Sequence, residues 1–380
     1  MIIKAFVRWA ETAKAGDRAR AANALGRAWL QPDMMDQAEH DAALTAMTWL
    51  LDDASPKVRL APAEALADSE RAPRSLILPL AEDQPEIACQ IIARSPVLRD
   101  PDLVDLAARG DQVTRVLIAS RMIVGYAVAA AIVEVGESLE VQALLDNPGA
   151  VIGKGTLCRI AARFSGDIEI RRRLDEREEL PAEARHVLTV HVSDALLNSP
   201  LVRAALAPGR LRDLGRDACE SATLTLIENA RSADYPALIA HLLDDGRLTP
   251  GLLMQAICTR KHAFFAAVVS TLSGHSERRV TSVLADGRAV ALRVLIEQTG
   301  LGRGLAPVFV AAILLSRKFE QSPELFAGRS IASRLLETFD AASAEGDDLG
   351  SILEMLGRLE ITERRRSARA YASVMAIEAA

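Results

Sequence analysis

Residues 81–106 read AEDQPEIACQIIARSPVLRDPDLVDL, and the next 26 residues, AARGDQVTRVLIASRMIVGYAVAAAI, place similar residue types at the same positions. This register extends over about residues 53–160 as two apolar columns and one loop column. The first apolar column is Leu66, Ile92, Ile118 and Leu144, the second is Leu80, Leu106, Ile132 and Cys158, and the loop column is Ser69, Ser95, Arg121 and Asn147. A repeat of this length fits two short helices, which must stack on neighbouring repeats to bury their apolar faces.

Apolar residues elsewhere in the chain also recur with the spacing of helices. Examples are Val113, Val116 and Leu117 within the repeats, and Ile352, Met355, Leu356 and Leu359 near the C-terminus. Such spacing is typical of amphipathic helices. The sequence therefore predicts an all-α protein: a HEAT-like α-solenoid with a helical N-terminal cap and a helical C-terminal half.

Three regions follow from this organisation. Residues 1–52 hold all three tryptophans and are expected to cap the first repeat, or alternatively to form an aromatic docking surface. Residues 53–185 form the repeat array. Residues 186–380 lose the 26-residue step, so the sequence leaves open whether they continue the helical hairpins or form a separate helical domain.

The start of the array is similar to the second helix of a HEAT repeat. In DDASPKVRLAPAEAL, residues 52–66, Asp53, Val58 and Arg59 occupy the positions of the aspartate and the valine–arginine pair of that motif. An aspartate before a helix can cap its N-terminus, and an arginine can pair with a carboxylate. We therefore expect Asp53 to cap this helix and Arg59 to reach an acidic residue of the next repeat.

Longer segments resemble a bacterial family known as domain of unknown function 2336. They are LAEDQPEIACQIIARSPVL, LIASRMIVGYAVAAAIVEVG, LLDNPGAVIGKGTLCRIA and IRRRLDEREELP. The resemblance covers about residues 50–185 and extends more loosely over the C-terminal half. It implies a HEAT-like helical fold, and it carries no activity and no functional residues over to this chain.

Composition restricts the class of function and the location. The chain has 45 basic and 51 acidic residues, a net charge of −6, which disfavours binding to the phosphates of nucleic acid. The four cysteines form no C-x-x-C motif and lie in apolar helical stretches, so we expect buried thiols rather than disulfides. The longest apolar runs are shorter than a membrane span. These features predict a cytoplasmic protein.

The sequence contains no convincing catalytic or metal-binding motif. The segment GAVIGKGT, residues 149–156, has one residue too few before its Gly-Lys pair to be a phosphate-binding loop. The six histidines are scattered, and none has a second histidine four residues away: His40, His186, His191, His241, His262 and His275. We therefore expect no enzyme activity, no metal and no cofactor.

The architecture favours a non-catalytic scaffold or adaptor whose partner is another protein, because stacked repeats build an extended surface. The alternatives are a nucleic-acid-binding HEAT-like protein, similar to DNA glycosylases, and a regulatory protein that binds a small ligand. A groove along the array would take a partner helix by its apolar face, or an acidic segment by Arg115, Arg121 and Arg171. If these arginines serve a partner, charge reversal at Arg115 and Arg121 is expected to leave the melting temperature nearly unchanged.

Overall fold

The computed structural model describes residues 2–31, 35–302, 304–322, 329–339 and 347–378. These residues form 23 α-helices and no β-strand, which confirms the predicted all-α class. The only bridge between extended residues in the described ranges joins Val124 to Ala150. The chain divides into two compact units, residues 1–180 and residues 181–380.

Unit 1 contains twelve helices. They are α1 (Ile2–Thr12), α2 (Ala15–Trp29), α3 (Gln37–Leu50), α4 (Pro56–Leu66), α5 (Arg74–Ala81), α6 (Pro85–Arg94), α7 (Asp100–Arg109), α8 (Gln112–Ala119), α9 (Tyr126–Val135), α10 (Ser138–Asp146), α11 (Lys154–Phe164) and α12 (Ile168–Asp175). Each even-numbered helix from α2 to α12 packs on the next even-numbered one, and we call these helices the first row. Among the others, α1 packs on α3, α3 on α5, α7 on α9 and α9 on α11, and these form the second row.

The columns found in the sequence lie in the interior of unit 1. All four residues of the first column and three of the second are buried: Leu66, Ile92, Ile118, Leu144, Leu80, Leu106 and Ile132. Cys158, on α11, is only half-buried. The expectation of four buried thiols is wrong, since Cys258 alone among them is buried.

An ionic contact joins α4 to the following repeat as the sequence predicts. Arg59 donates from Nε and Nη2 to the two carboxylate oxygens of Asp83, at 2.6 and 2.8 Å. Asp53 accepts the backbone N–H of Ser55 at 2.9 Å, so it bonds the residue before α4 rather than the first turn of the helix. The same carboxylate accepts two bonds from Arg18 on α2, which ties α2 to the array.

The described residues of unit 2 form eleven α-helices. They are α13 (Ala182–Leu197), α14 (Pro200–Ala205), α15 (Pro208–Asn229), α16 (Tyr235–Asp244), α17 (Pro250–Cys258), α18 (His262–Ser273), α19 (Glu277–Asp286), α20 (Ala289–Gln298), α21 (Ala306–Gln321), α22 (Ile331–Thr338) and α23 (Asp347–Glu378). Its core contains buried aromatic residues, which the described core of unit 1 lacks, with Phe264, Phe265 and Phe309 fully enclosed. The predicted apolar face of α23 is buried through Ile352 and Leu356.

Within the described part of the chain, no helix combines the length and the apolar character that crossing a membrane requires.

Candidate functional site

Two of the three predicted partner-binding arginines occupy a repeated structural position. Arg115 and Arg171 are each the fourth residue after the N-cap of a first-row helix, as are Arg18 and Arg59. In each case Nη1 donates to a backbone carbonyl in the turn before the helix: Ala13 at 2.6 Å, Asp53 at 2.7 Å, Gly110 at 2.7 Å and Ser165 at 2.5 Å. We call these four residues the arginine ladder.

The ladder also connects repeats. Arg115 donates from Nε to Glu140 on α10 at 3.0 Å, and the Glu140 side chain is fully enclosed. The hydrogen bonds from neighbouring groups outweigh burial, so the pKa of Glu140 is lowered and the carboxylate stays ionised beside Arg115. This pair is the counterpart of Arg59 with Asp83, and it gives Arg115 a role inside the fold.

The third predicted arginine, Arg121, lies in the loop after α8. Its side chain bonds backbone carbonyls at the C-terminal end of α6, one repeat earlier. It donates from Nη2 to the Ser95 carbonyl at 2.8 Å and from Nη1 to the Ile92 carbonyl. Burial lowers the pKa of Arg121. Asn147 repeats the arrangement one repeat later, donating to the carbonyls of Ala119 and Arg121 at 2.7 Å each. We call the bonds made by Arg121 and Asn147 the loop clasps.

The three arginines therefore do not converge on one exposed surface. They lie on α8, in the loop after α8 and on α12, and each bonds a carbonyl of its own chain. Whether they also contact a partner stays a prediction. Charge reversal at Arg115 and Arg121 would break these part-buried bonds, so we expect it to lower the melting temperature rather than to leave it nearly unchanged.

Exposed apolar side chains instead share one face of two neighbouring first-row helices. Val113 on α8 and Leu139 on α10 are the second residues of their helices, 26 positions apart, and are 56% and 55% exposed. Val116 and Leu117, one turn further along α8, are partly exposed beside them. Since α8 packs on α10, these residues form a patch that we call the α8–α10 face.

Acidic groups border the α8–α10 face at the N-terminal ends of the first-row helices. Asp111 precedes α8, Glu137 precedes α10 and Glu86 lies in the first turn of α6, and all three are exposed. The backbone N–H of Thr114 donates to Asp111 at 2.9 Å, and this bond lowers the pKa of the Asp111 carboxyl. The border therefore carries negative charge at neutral pH.

A second group of exposed apolar side chains lies on the loops that follow α8 and α10. Met122 and Ile123 are exposed in the first loop, Tyr126 is exposed where that loop enters α9, and Val151 is exposed in the second loop. The loops are joined by backbone bonds between residues 124 and 149 at 3.1 Å and between residues 151 and 124 at 2.9 Å. We call these four residues the loop tips.

In unit 2 the fold brings together two histidines that are distant in the sequence. His186 on α13 lies against His241 on α16, and Asp245 directly follows that helix. The available signal was the spacing of four residues between His241 and Asp245, which places both on one helix face. The histidines alone give no such signal, because no two of them are four residues apart.

The sequence also did not predict that the α8–α10 face is exposed. Val113, Val116 and Leu117 follow helical spacing, which identifies the helix but leaves its outward side undetermined. The buried residues of α8 are Ile118 and Ala119, on the side that meets the core. Nothing in the sequence of this helix distinguishes the covered apolar side from the exposed one.

Comparison with known proteins identifies a bacterial family. A family model described as "Uncharacterised protein conserved in bacteria (DUF2336)" matches residues 87–347, which is more than half of the chain. The match covers parts of both units and confirms the resemblance found in the repeat segments. Neither the curated proteins nor the solved structures contain a significant match.

Proposed function

The chain belongs to the bacterial family DUF2336, and from its fold and surface we propose that it is a non-catalytic adaptor that binds another protein along a HEAT-like α-solenoid in unit 1. The packing of successive helices in two rows supports the solenoid. The arginine ladder and the loop clasps support it further, because Arg59, Arg115, Arg121 and Asn147 each bond a neighbouring repeat.

The observation that carries the proposal is the exposure of Val113 and Leu139 at matching positions of adjacent helices. Apolar side chains repeated in register on a rigid surface are suited to receive the apolar face of a partner helix. Large apolar side chains grouped on a surface are more informative than single ones, since isolated exposed residues are common.

The proposed occupant is a basic amphipathic helix of a partner protein. Its apolar residues would cover the α8–α10 face, and its lysines or arginines would lie near Glu86, Asp111 and Glu137. Complementary charge at the rim of an interface favours the correct partner and speeds association. The same acidic border disfavours nucleic acid, because phosphates would meet negative charge.

Site-specific photo-cross-linking in the native bacterial host tests this proposal. A photoreactive phenylalanine analogue replaces Val113 or Leu139 in the full-length chain, and the adducts are mapped by mass spectrometry. We expect both positions to label the same protein, within a segment that has basic residues on one helix face and apolar residues on the other.

A second substitution in the same chain supplies the control. With the photoreactive residue at Val113, Leu139→Lys is expected to lower the adduct yield at least about tenfold, because it places a charge in the centre of the contact. Val290→Lys, at an exposed apolar residue of unit 2, is the matched control and should leave the yield unchanged. Adducts from a probe placed at the loop-tip residue Met122 but from neither Val113 nor Leu139, adducts with nucleic acid, or adducts with an acidic segment would overturn the proposal.

A further inference from the structure

Three side chains of unit 2, those of His186, His241 and Asp245, place atoms that can bind a metal close to one another. His186 lies in the second turn of α13, His241 in the last turn of α16, and Asp245 is the residue after α16. Because α13 packs on α16, residues that are 55 positions apart along the chain meet. One nitrogen of each histidine and one carboxylate oxygen of Asp245 all lie within 4.8 Å of one another.

Two of the three distances are close to those between ligands of a tetrahedral metal ion. Nδ1 of His186 lies 3.0 Å from Nε2 of His241, which lies 3.4 Å from Oδ2 of Asp245. With metal–ligand bonds of about 2.0–2.1 Å, tetrahedral geometry places ligand atoms about 3.3 Å apart. A small shift of the side chains would therefore admit an ion between them.

The surroundings of His186 also favour a neutral imidazole, which is the form that binds metal. Only 1% of this residue is exposed. Burial, followed by the charge of His241, lowers the pKa of His186 to about 4. Its other ring nitrogen, Nε2, is buried and has no hydrogen-bond partner among the described residues, whereas Nδ1 is the nitrogen that meets His241.

We propose that His186, His241 and Asp245 bind a divalent transition-metal ion of the zinc class. Two imidazoles and one carboxylate suit zinc, and three protein ligands leave at least one coordination position open. The ion would take the place that a shared proton holds between the two histidines in the metal-free protein. His186 also lines a cavity of about 370 Å³, which has room for water or a small ligand.

The ion would connect α13 to the C-terminal end of α16. A ligand that binds only the folded state stabilises it. Zinc would therefore raise the melting temperature of the full-length protein, and the rise would depend on all three side chains.

Metal binding to the chelator-treated, full-length protein tests the proposal. Zn²⁺ binding is measured by isothermal titration calorimetry, and Co²⁺ binding by its visible absorption bands. We expect one ion per chain. Since even outer-shell changes typically weaken metal binding 10–100-fold, His241→Ala and Asp245→Asn should each weaken it at least about tenfold.

His191→Ala is the matched control, because His191 lies on the same helix as His186 and outside the cluster. This variant is expected to bind Zn²⁺ as the unmodified chain does. Asp245→Asn changes a partly exposed side chain, so it tests binding without disrupting the core, and circular dichroism verifies folding. Absence of binding, retention of full affinity in both cluster variants, or equal loss in His191→Ala would overturn the proposal.

Discussion

The guanidinium of Arg121 illustrates how a charged loop residue can serve packing between repeats. Its two bonds to the carbonyls of Ile92 and Ser95 satisfy backbone groups that lie in the preceding repeat. A buried polar group without a partner costs more than the net gain of an average hydrogen bond. The side chain is therefore needed where an alanine or a leucine would leave two carbonyls unsatisfied.

Substitution of Arg121 by glutamine is expected to lower the free energy of unfolding by about 1–3 kcal/mol, because the shorter amide cannot replace both bonds. Urea denaturation followed by circular dichroism measures the change. Arg109→Gln is the control, since Arg109 makes only exposed bonds, to Glu82 at 3.1 Å and to the Asp105 carbonyl at 3.4 Å, and the change should cost less than about 1 kcal/mol. Equal losses in the two variants would contradict a special role for Arg121.

The Arg59–Asp83 pair predicts a pH dependence of stability. The hydrogen bonds from Arg59 lower the pKa of Asp83 in the folded state. A carboxyl group with a lowered folded pKa binds protons more tightly when unfolded, so its contribution is present above the unfolded pKa near 3.9. That contribution is lost as the pH falls through the folded value.

We therefore expect Asp83→Asn to lower the melting temperature at pH 7 and to have a much smaller effect at pH 3. Thermal unfolding of both chains at pH 7, 5 and 3 measures this. The difference between the chains should shrink as the pH falls below about 4. A difference independent of pH would show that the ion pair is not its source.

At the scale of helices, a glycine sets the approach of α2 to α4. A Cβ atom at Gly26 would lie 2.9 Å from Cβ of Ala65, closer than packed side chains allow. Gly26 is buried in α2, and Ala65 lies in the last turn of α4. The two helices can keep their present distance only if this position has no side chain.

Gly26→Ala is expected to destabilise the protein by about 1–3 kcal/mol, because α2 must move away from α4. Gly16→Ala lies on the same helix, with no atom near its added Cβ, and should be neutral or stabilising by up to about 1 kcal/mol. Urea denaturation of the two variants gives the comparison. A gain in stability for both would mean that the helices separate at little cost.

At the scale of the whole molecule, the sequence predicted the interior of unit 1 better than its surface. Positions such as Ile92 and Ile118 are enclosed in every repeat, so each repeat needs an apolar residue there and the period becomes visible. Exposed Val113 has the same residue type as a core position, so the sequence cannot separate the two. The loop clasps were missed because side-chain bonds to carbonyls require no matching residue type in the partner.

The sequence did not predict the histidine cluster for a different reason. His186 and His241 are brought together by the packing of α13 on α16, and unit 2 has no repeat that would reveal which helices become neighbours. A short sequence motif can reveal only residues that lie close together because they are in the same helix or loop. Sites assembled from separate helices become apparent only in the folded chain.

The loop clasps also have a consequence for the order in which the repeats fold during synthesis. Arg121 satisfies carbonyls of residues 92 and 95, and Asn147 satisfies carbonyls of residues 119 and 121, so the later repeat completes the earlier one. During synthesis on a ribosome, the carbonyls of each new loop remain bonded to water until the following repeat has emerged. We therefore expect unit 1 to fold from its N-terminal end, with the hydrogen bonds of each loop forming about one repeat after the loop itself. A pause in translation should leave only the carbonyls of the most recent loop without their side-chain partners.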